Sequence, residues 1–360
     1  MPFVKAIMTL FFLLTITISC GVGEGSRFKQ KPKALGKMNE IVVIVDNDLW
    51  DGIIGDTLNY YLGGYYPLTP KPEPIFDLRF MPLRELTASS LKRQLRTYLI
   101  LANLSDSESE VTKFVKSDLG EQGFMKAQSD SNFRSSVGVD KWAYGQLLIY
   151  LFDFSADNLA DAIVTNFEGI SSRVNDHDAN QLYQSTFPRG SNQGISALLS
   201  ERFESEIEVP FEYQVIQDAE EFNQTIWIRK DTESGYVNIV FHDYQYTNEG
   251  QLDKNAIRDR FNTFGKLYVS STEPNSYLTV NDIDLPILEF DRNIQSKYAK
   301  ECRGIWEMEN DFMGGPFMSY VIVNPDKGKF LQVDGFIYDP GSKKRDIMQQ
   351  IDMIVKSIKY

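Results

Sequence analysis

Cysteine and histidine are nearly absent: the 360 residues hold two of each. Two cysteines allow one bridge at most, which excludes a scaffold held by a disulfide framework. The histidines, His177 and His242, stand far apart, so no His-based metal motif is present and neither metal nor cofactor is expected. Basic charge is also scarce. Lys and Arg number 37 against 50 Asp and Glu, a net charge of -13, which excludes a nucleic acid partner held through phosphate contacts. A membrane-length apolar run is missing at the amino terminus, where Ala6 to Ile18 covers 13 residues, too few to cross a bilayer as a helix. No nucleophile with a neighbouring base and no phosphate loop can be found. No catalytic residue is therefore assigned, and an enzyme is disfavoured.

What is present is a chain rich enough in apolar residues (42%) and aromatics (13%) to pack globular domains. Its length suits two. The short apolar run, preceded by the lone charge of Lys5, has the form of an export signal over residues 1–19. It ends in Thr17-Ile18-Ser19-Cys20-Gly21, which resembles the lipobox of bacterial lipoproteins, with Thr17 where Leu is usual. That resemblance implies lipidation at Cys20, a membrane partner reached through the lipid, and a periplasm-facing body. Incidental secretion with an unmodified Cys20 is the alternative. Cys302 is then a lone thiol in an apolar strand, a small buried side chain and not a nucleophile. Residues 20–39 carry Arg27, Lys29, Lys31, Lys33 and Lys37 against Glu24 and are expected to be a flexible tether.

Two α+β domains are expected, residues 40–190 and 191–360, each with mixed or antiparallel sheets packed against helices. Glu40 to Val45 is a buried strand. Asp46-Asn47-Asp48 after it resembles the nucleophile motif of haloacid-dehalogenase-type phosphotransferases, but Trp50 stands where that motif wants Thr or Val. Capping of the helix that follows, with Asp48 at its N-terminus, explains the same residues. Prolines 67, 70, 72 and 74 mark an extended loop. Ser155 caps the longest helix, whose apolar face runs through Leu159, Ile163, Phe167, Ile170 and Val174. No repeated βαβ rhythm is evident in this half. His177, in Asn175-Asp176-His177-Asp178, lacks a second histidine nearby and is no convincing ligand.

The second half reads as a meander of strands, a helix from Asp253, further strands, a hairpin at Asn324 to Gly328, and a last helix capped by Ser342. His242 alternates with Phe241 in a strand and is expected to be a sheet residue, not a base. Arg303-Gly304-Ile305-Trp306-Glu307, Asn310 to Phe317, Asp334 to Tyr338 and Lys344-Arg345-Asp346 resemble an uncharacterised Bacteroidetes lipoprotein family, domain of unknown function 4837. The resemblance extends to Asp48 to Gly52, and Asp339 departs from it where a small apolar residue is usual. It implies no activity. The element order of Ile207 to Tyr360 is also similar to the PsbP/Mog1-like α/β/α sandwich, whose members are mostly accessory proteins that bind other proteins.

Arg303, Trp306, Asn310, Asp311, Lys344 and Arg345 form the candidate binding surface, grouped around a corner forced by Gly314-Gly315-Pro316. The opposing reading puts Trp306 and Phe312 in the core and pairs Arg303 with Asp311 or Glu307. Three functions stay open: a binding or scaffolding module for an envelope protein partner, a hydrolase or phosphotransferase using Asp46 and Asp48, and a carrier of a small apolar ligand.

Overall fold

Four consecutive apolar residues in Glu40-Ile41-Val42-Val43-Ile44 make a strand that needs cover on both faces. In the computed structural model, which describes residues 31–219 and 224–360, this is β1 (Glu40–Ile44) of a five-stranded sheet. Its fellows are β2 (Asp77–Phe80), β3 (Thr97–Asn103), β4 (Ser135–Val139) and β5 (Leu147–Asp153), in the order β2-β1-β3-β5-β4. Helices α1 (Ile53–Tyr61) and α4 (Ala156–Thr186) cover one face, meeting Ile41, Val43, Leu99 and Leu151 through Ile54, Leu58, Leu159 and Ile163. Helices α2 (Leu83–Ala88) and α3 (Glu110–Ser129) cover the other, where Val42, Ile100 and Phe152 pack on Leu86, Val111 and Val115. Ser155 does cap α4, its hydroxyl accepting from Asn158 N at 3.2 Å.

A parallel rhythm is present here that the sequence conceals: β2, β1, β3 and β5 are all parallel, and only β4 runs the other way. The crossovers differ too much to show as a repeat. One passes through α1 and the proline-rich loop, one through the short α2, and one through α3 and β4. Helix α3 itself is broken at Gly120, whose φ of 67° is left-handed and suits glycine.

After α5 (Gln193–Phe203), the second sheet is antiparallel throughout. It takes β6 (Gln214–Ala219), β7 (Thr225–Asp231), β8 (Tyr236–Gln245), β9 (Tyr277–Asn281), β10 (Leu288–Ile294), β11 (Lys297–Glu309), β12 (Gly314–Asn324) and β13 (Lys329–Tyr338). The order is β10-β11-β12-β13-β8-β7-β6, with β9 beside the far half of β11. Helix α6 (Lys254–Tyr268) fills one face through Ile257, Phe261 and Phe264, which meet Phe317 and Phe336. Helices α5 and α7 (Arg345–Lys356) fill the other, α7 burying Met348, Ile351, Ile354 and Val355 on Tyr320, Leu331 and Val333. The whole is α+β, as its composition of strands and helices suggested. The hairpin between β12 and β13 turns at Pro325 and closes on Gly328 at φ 62°.

Gly314-Gly315-Pro316 makes no corner. It lies inside β12, opposite Glu307, Trp306 and Ile305, and the turn falls earlier, at Asn310, where φ is 60°. Glycine is needed at 315 for closeness: a Cβ there would sit 1.9 Å from the Ile337 carbonyl oxygen. That carbonyl accepts the Trp306 indole N–H at 3.2 Å.

The two sheet units meet along a polar seam. Ser342 does not cap α7. Instead the Glu73 carboxylate, from the proline-rich loop of the first unit, accepts from Lys344 N at 2.6 Å and Arg345 N at 3.0 Å. Arg345, 1% exposed, donates to Asp77 Oδ2 (2.9 Å), Pro74 O (2.8 Å) and Asp346 Oδ1 (2.9 Å). Asn39 and Gln349 exchange hydrogen bonds of 2.8 and 3.1 Å. The expected tether through Asn39 is therefore docked from Lys31 onward, with backbone bridges at Lys33 and Leu35; the export signal and Cys20 lie outside the described residues.

Gly315→Ala is expected to lower unfolding free energy by about 3 kcal/mol, because backbone atoms must move to admit the methyl group; urea denaturation checks it. Burial raises the Asp77 carboxyl, but Arg345 and then Lys343 outweigh it and hold it below its ordinary 3.8. A depressed carboxylate adds stability that is fully present above 3.8 and is lost as pH falls below that through its lowered folded value. Asp77→Asn should thus be less stable than wild type near neutrality and lose less on acidification, read as urea midpoints across that range.

Candidate functional site

A cavity of about 730 Å³ opens along the seam. The first unit supplies Ala179 and Leu182 from α4, with Met38, Tyr66 and Ile75 from the segments beside it. The second supplies Phe290 and Arg292 from β10, Arg303 from β11, and Asp352, Met353 and Lys356 from α7. Strand alternation explains the β contributions: Glu301 and Arg303 are two apart on β11 and share a face. Helical spacing explains Asp352 and Lys356, four apart on α7 and paired at 2.5 Å.

Glu301, fully buried, holds two of the cavity-lining arginines. It accepts from Arg303 Nε and, at 2.5 Å, from Arg292 Nε. Arg303 spans the seam, Nη1 donating to Tyr66 Oη at 2.7 Å while Nη2 lies 3.9 Å from Asp352 Oδ1. Burial works against the Arg303 charge, but Tyr66, Glu301, Tyr320 and Asp352 around it reverse that and keep it protonated. Burial pushes the Tyr66 hydroxyl up despite Arg303, so it remains a neutral phenol. Tyr320 donates to Asp352, and burial with that carboxylate raises it further. The result is a set of compensated charges on one side and apolar side chains on the other.

The six residues of the candidate surface are dispersed. Arg303 lines the cavity and Arg345 holds the seam. Lys344 is folded back, its ammonium donating to the carbonyls of Asp339 and Ser342. Trp306 is in the core at 1% exposure. Asn310 and Asp311 belong to the β11–β12 turn, bonded to Asn275 O at 3.1 Å and Phe312 N at 2.7 Å. Phe312 is fully exposed at that turn, not in the core, and Arg303 pairs with Glu301 in place of Asp311 or Glu307. Tyr66, Arg292, Glu301, Asp352 and Lys356 went unsuspected. The alternation in Glu301-Cys302-Arg303 was a usable signal for one of them.

Asp46 and Asp48 sit at the carboxyl end of β1. Asp46 occupies the N-cap position of a single helical turn, Asn47–Trp50, with Asp48 within it. Ser109, the cap of α3, donates to Asp46 Oδ2 at 2.6 Å. Burial raises the Asp46 carboxyl, opposed by that hydrogen bond and helped by Asp48 and Asp106. Among the described residues no group of three or more His, Cys, Asp or Glu is placed to hold a metal ion. His177 is half-buried on α4, and burial lowers its basicity. His242 is buried in β8, with Nδ1 2.8 Å from Thr225 Oγ1 and Nε2 3.5 Å from Asp334 Oδ2.

Residues 192–357 match a family model described as a domain of unknown function (DUF4837), and residues 34–187 match another (DUF8532). Each match covers less than half of the chain, and both descriptions are of domains of unknown function. Asp48 to Gly52 fall in the second match, so the resemblance to the first does not reach them. No curated protein matches the chain. The crystal structure of human STARD10 is similar at 10% identity and a TM-score of 0.21, over 46% of this chain and 76% of that one. An overlap that low carries no argument.

Burial, with Glu289 nearby, pushes the Cys302 thiol up to about 12. In a Cys20→Ser chain, native protein should resist alkylation at mildly alkaline pH and take up one equivalent after denaturation, counted by mass.

Proposed function

We propose that the chain is a lipid-anchored, periplasm-facing envelope protein and works as a binding module whose occupant enters the seam cavity. The cavity is the observation that carries this reading. Its volume, about 730 Å³, falls within the range of roughly 300–1,000 Å³ common to small-molecule sites. Its apolar side suits a hydrocarbon or aromatic body. Arg303 lines it, with Nη2 3.9 Å from Asp352 Oδ1, a spacing beyond hydrogen-bond length that leaves this nitrogen able to donate to a polar head of the occupant. A small amphipathic molecule fits this division better than a wholly apolar one, because a polar head can lie against the paired charges while an apolar body meets the other wall. Among the described residues no helix is long and apolar enough to cross a membrane, and attachment is assigned to Cys20.

Native mass spectrometry of the lipoprotein purified from membranes tests this. A small bound mass is expected, lost on Leu182→Trp, which fills the cavity from an incompletely buried position, while the melting temperature stays within a few degrees. An empty wild-type cavity together with a stoichiometric protein partner would replace this reading with a scaffold.

A further inference from the structure

The first sheet unit is charged unevenly along its strands. Because β1, β3 and β5 are parallel, they begin together at Glu40, Thr97 and Leu147. The incoming chain is laid across this amino end: Lys31 Nζ donates to Asp140 O at 2.7 Å, Ala34 N to Tyr144 O at 2.8 Å and Leu35 N to Gln94 O at 2.7 Å. Lys31, Lys33 and Lys37 are exposed on it, with Arg93 half-buried beside them. Lys92 and Lys141 here are paired with Glu85 and Asp118, but no ion pair of the described residues engages Lys31, Lys33, Lys37 or Arg93. The Asp140 carboxylate is turned to the backbone, accepting from Gly145 N at 2.6 Å and Gln146 N at 3.2 Å. Apolar side chains stand out among these charges: Leu35, Leu91, Val139 and Tyr144 are each about half or more exposed, Val139 at 67%.

The carboxyl end is the reverse. The loops and helix starts after β1, β3 and β5 expose Asp48, Asp51, Asp106, Glu108 and Asp157, with Glu110 paired to Lys113 at 2.9 Å. Near an anionic surface such a body is turned basic end inward, since one end is attracted and the other repelled within the Debye length.

We propose that the amino end of the first sheet is a membrane-facing surface that rests on anionic phospholipid headgroups. The proposal rests on the lipid anchor at Cys20. Cys20 and Lys31 are eleven positions apart, a reach of at most about 40 Å. The tether enters the body at the basic end and so holds that end nearest the bilayer. The basic side chains meet the phosphates there, each strengthening contact about fivefold. Leu91, Val139 and Tyr144 enter the headgroup layer, where a tyrosine ring is at home.

The experiment uses the intact lipoprotein, its mass measured first, reconstituted in vesicles with one part phosphatidylglycerol to two parts phosphatidylcholine. Environment-sensitive thiol probes are placed by Leu91→Cys and, at the far end, Asp106→Cys; the buried Cys302 stays unlabelled in native protein. The Leu91 probe should shift to the blue on reconstitution and be quenched by lipid-borne quenchers, while the Asp106 probe should not. Combining Lys31→Glu, Lys33→Glu and Lys37→Glu should weaken that quenching at least fivefold without lowering the melting temperature, these side chains being exposed. A protein carrying the diacylglyceryl mass whose Leu91 probe remains in water overturns the surface and leaves the anchor standing. Equal quenching on pure phosphatidylcholine overturns recognition of anionic headgroups. A chain lacking the lipid mass overturns the anchor, and this surface with it.

Discussion

Arg345 is a guanidinium taken out of water between two sheets, and much of the remaining geometry depends on satisfying it. A buried cation is costly unless its donors are used. Here they reach Asp77, Asp346 and the Pro74 carbonyl. Losing its partners would leave an uncompensated buried charge worth about 3–5 kcal/mol. The adjacent backbone N–H groups of α7 point at Glu73, so one loop of the first unit receives both the charge and the positive end of the helix. That fixes where α7 starts, and hence where Asp352, Met353 and Lys356 stand along the cavity.

The cavity follows from the same constraint. With α7 pinned at its N-terminus against the first unit, the cavity lies between its later residues, Asp352, Met353 and Lys356, and Ala179 and Leu182 of α4, edged by β10 and β11. Glu301, shared by Arg292 and Arg303, keeps two cations at the margin of that gap without an unpaired charge in the interior. Tyr66 ties the arrangement back to the proline-rich loop. That loop thus makes two contacts with the second unit, Tyr66 at Arg303 on the cavity wall and Glu73 at the start of α7.

Local features were legible. The buried strand at residue 40, the Ser155 cap, the Asn324 to Gly328 hairpin and the apolar face of α4 each depend on residues a few positions apart, and each is present. The parallel order of the first sheet was not, because its crossovers share neither length nor element. Gly314-Gly315-Pro316 was misread as a corner for a related reason: glycine marks a turn and a close approach equally, and only the position of the Ile337 carbonyl distinguishes them. The Ser342 cap was a sound local choice displaced by the Glu73 carboxylate, 271 positions from the Lys344 N–H that it accepts.

By itself the sequence determined the α+β class, the core faces of the principal strands and helices, and the identity of Cys302 as an inert thiol. These depend on hydrophobic period, turn chemistry and burial, all readable within a short window. Tertiary structure alone decided which charged residues meet. Tyr66, Arg303 and Asp352 come from the proline-rich loop, β11 and α7, and partners that distant in sequence are settled by packing and desolvation after the chain has folded. The candidate surface dispersed for that reason: residues close in sequence on β11, the turn and α7 were divided by burial among core, solvent and seam.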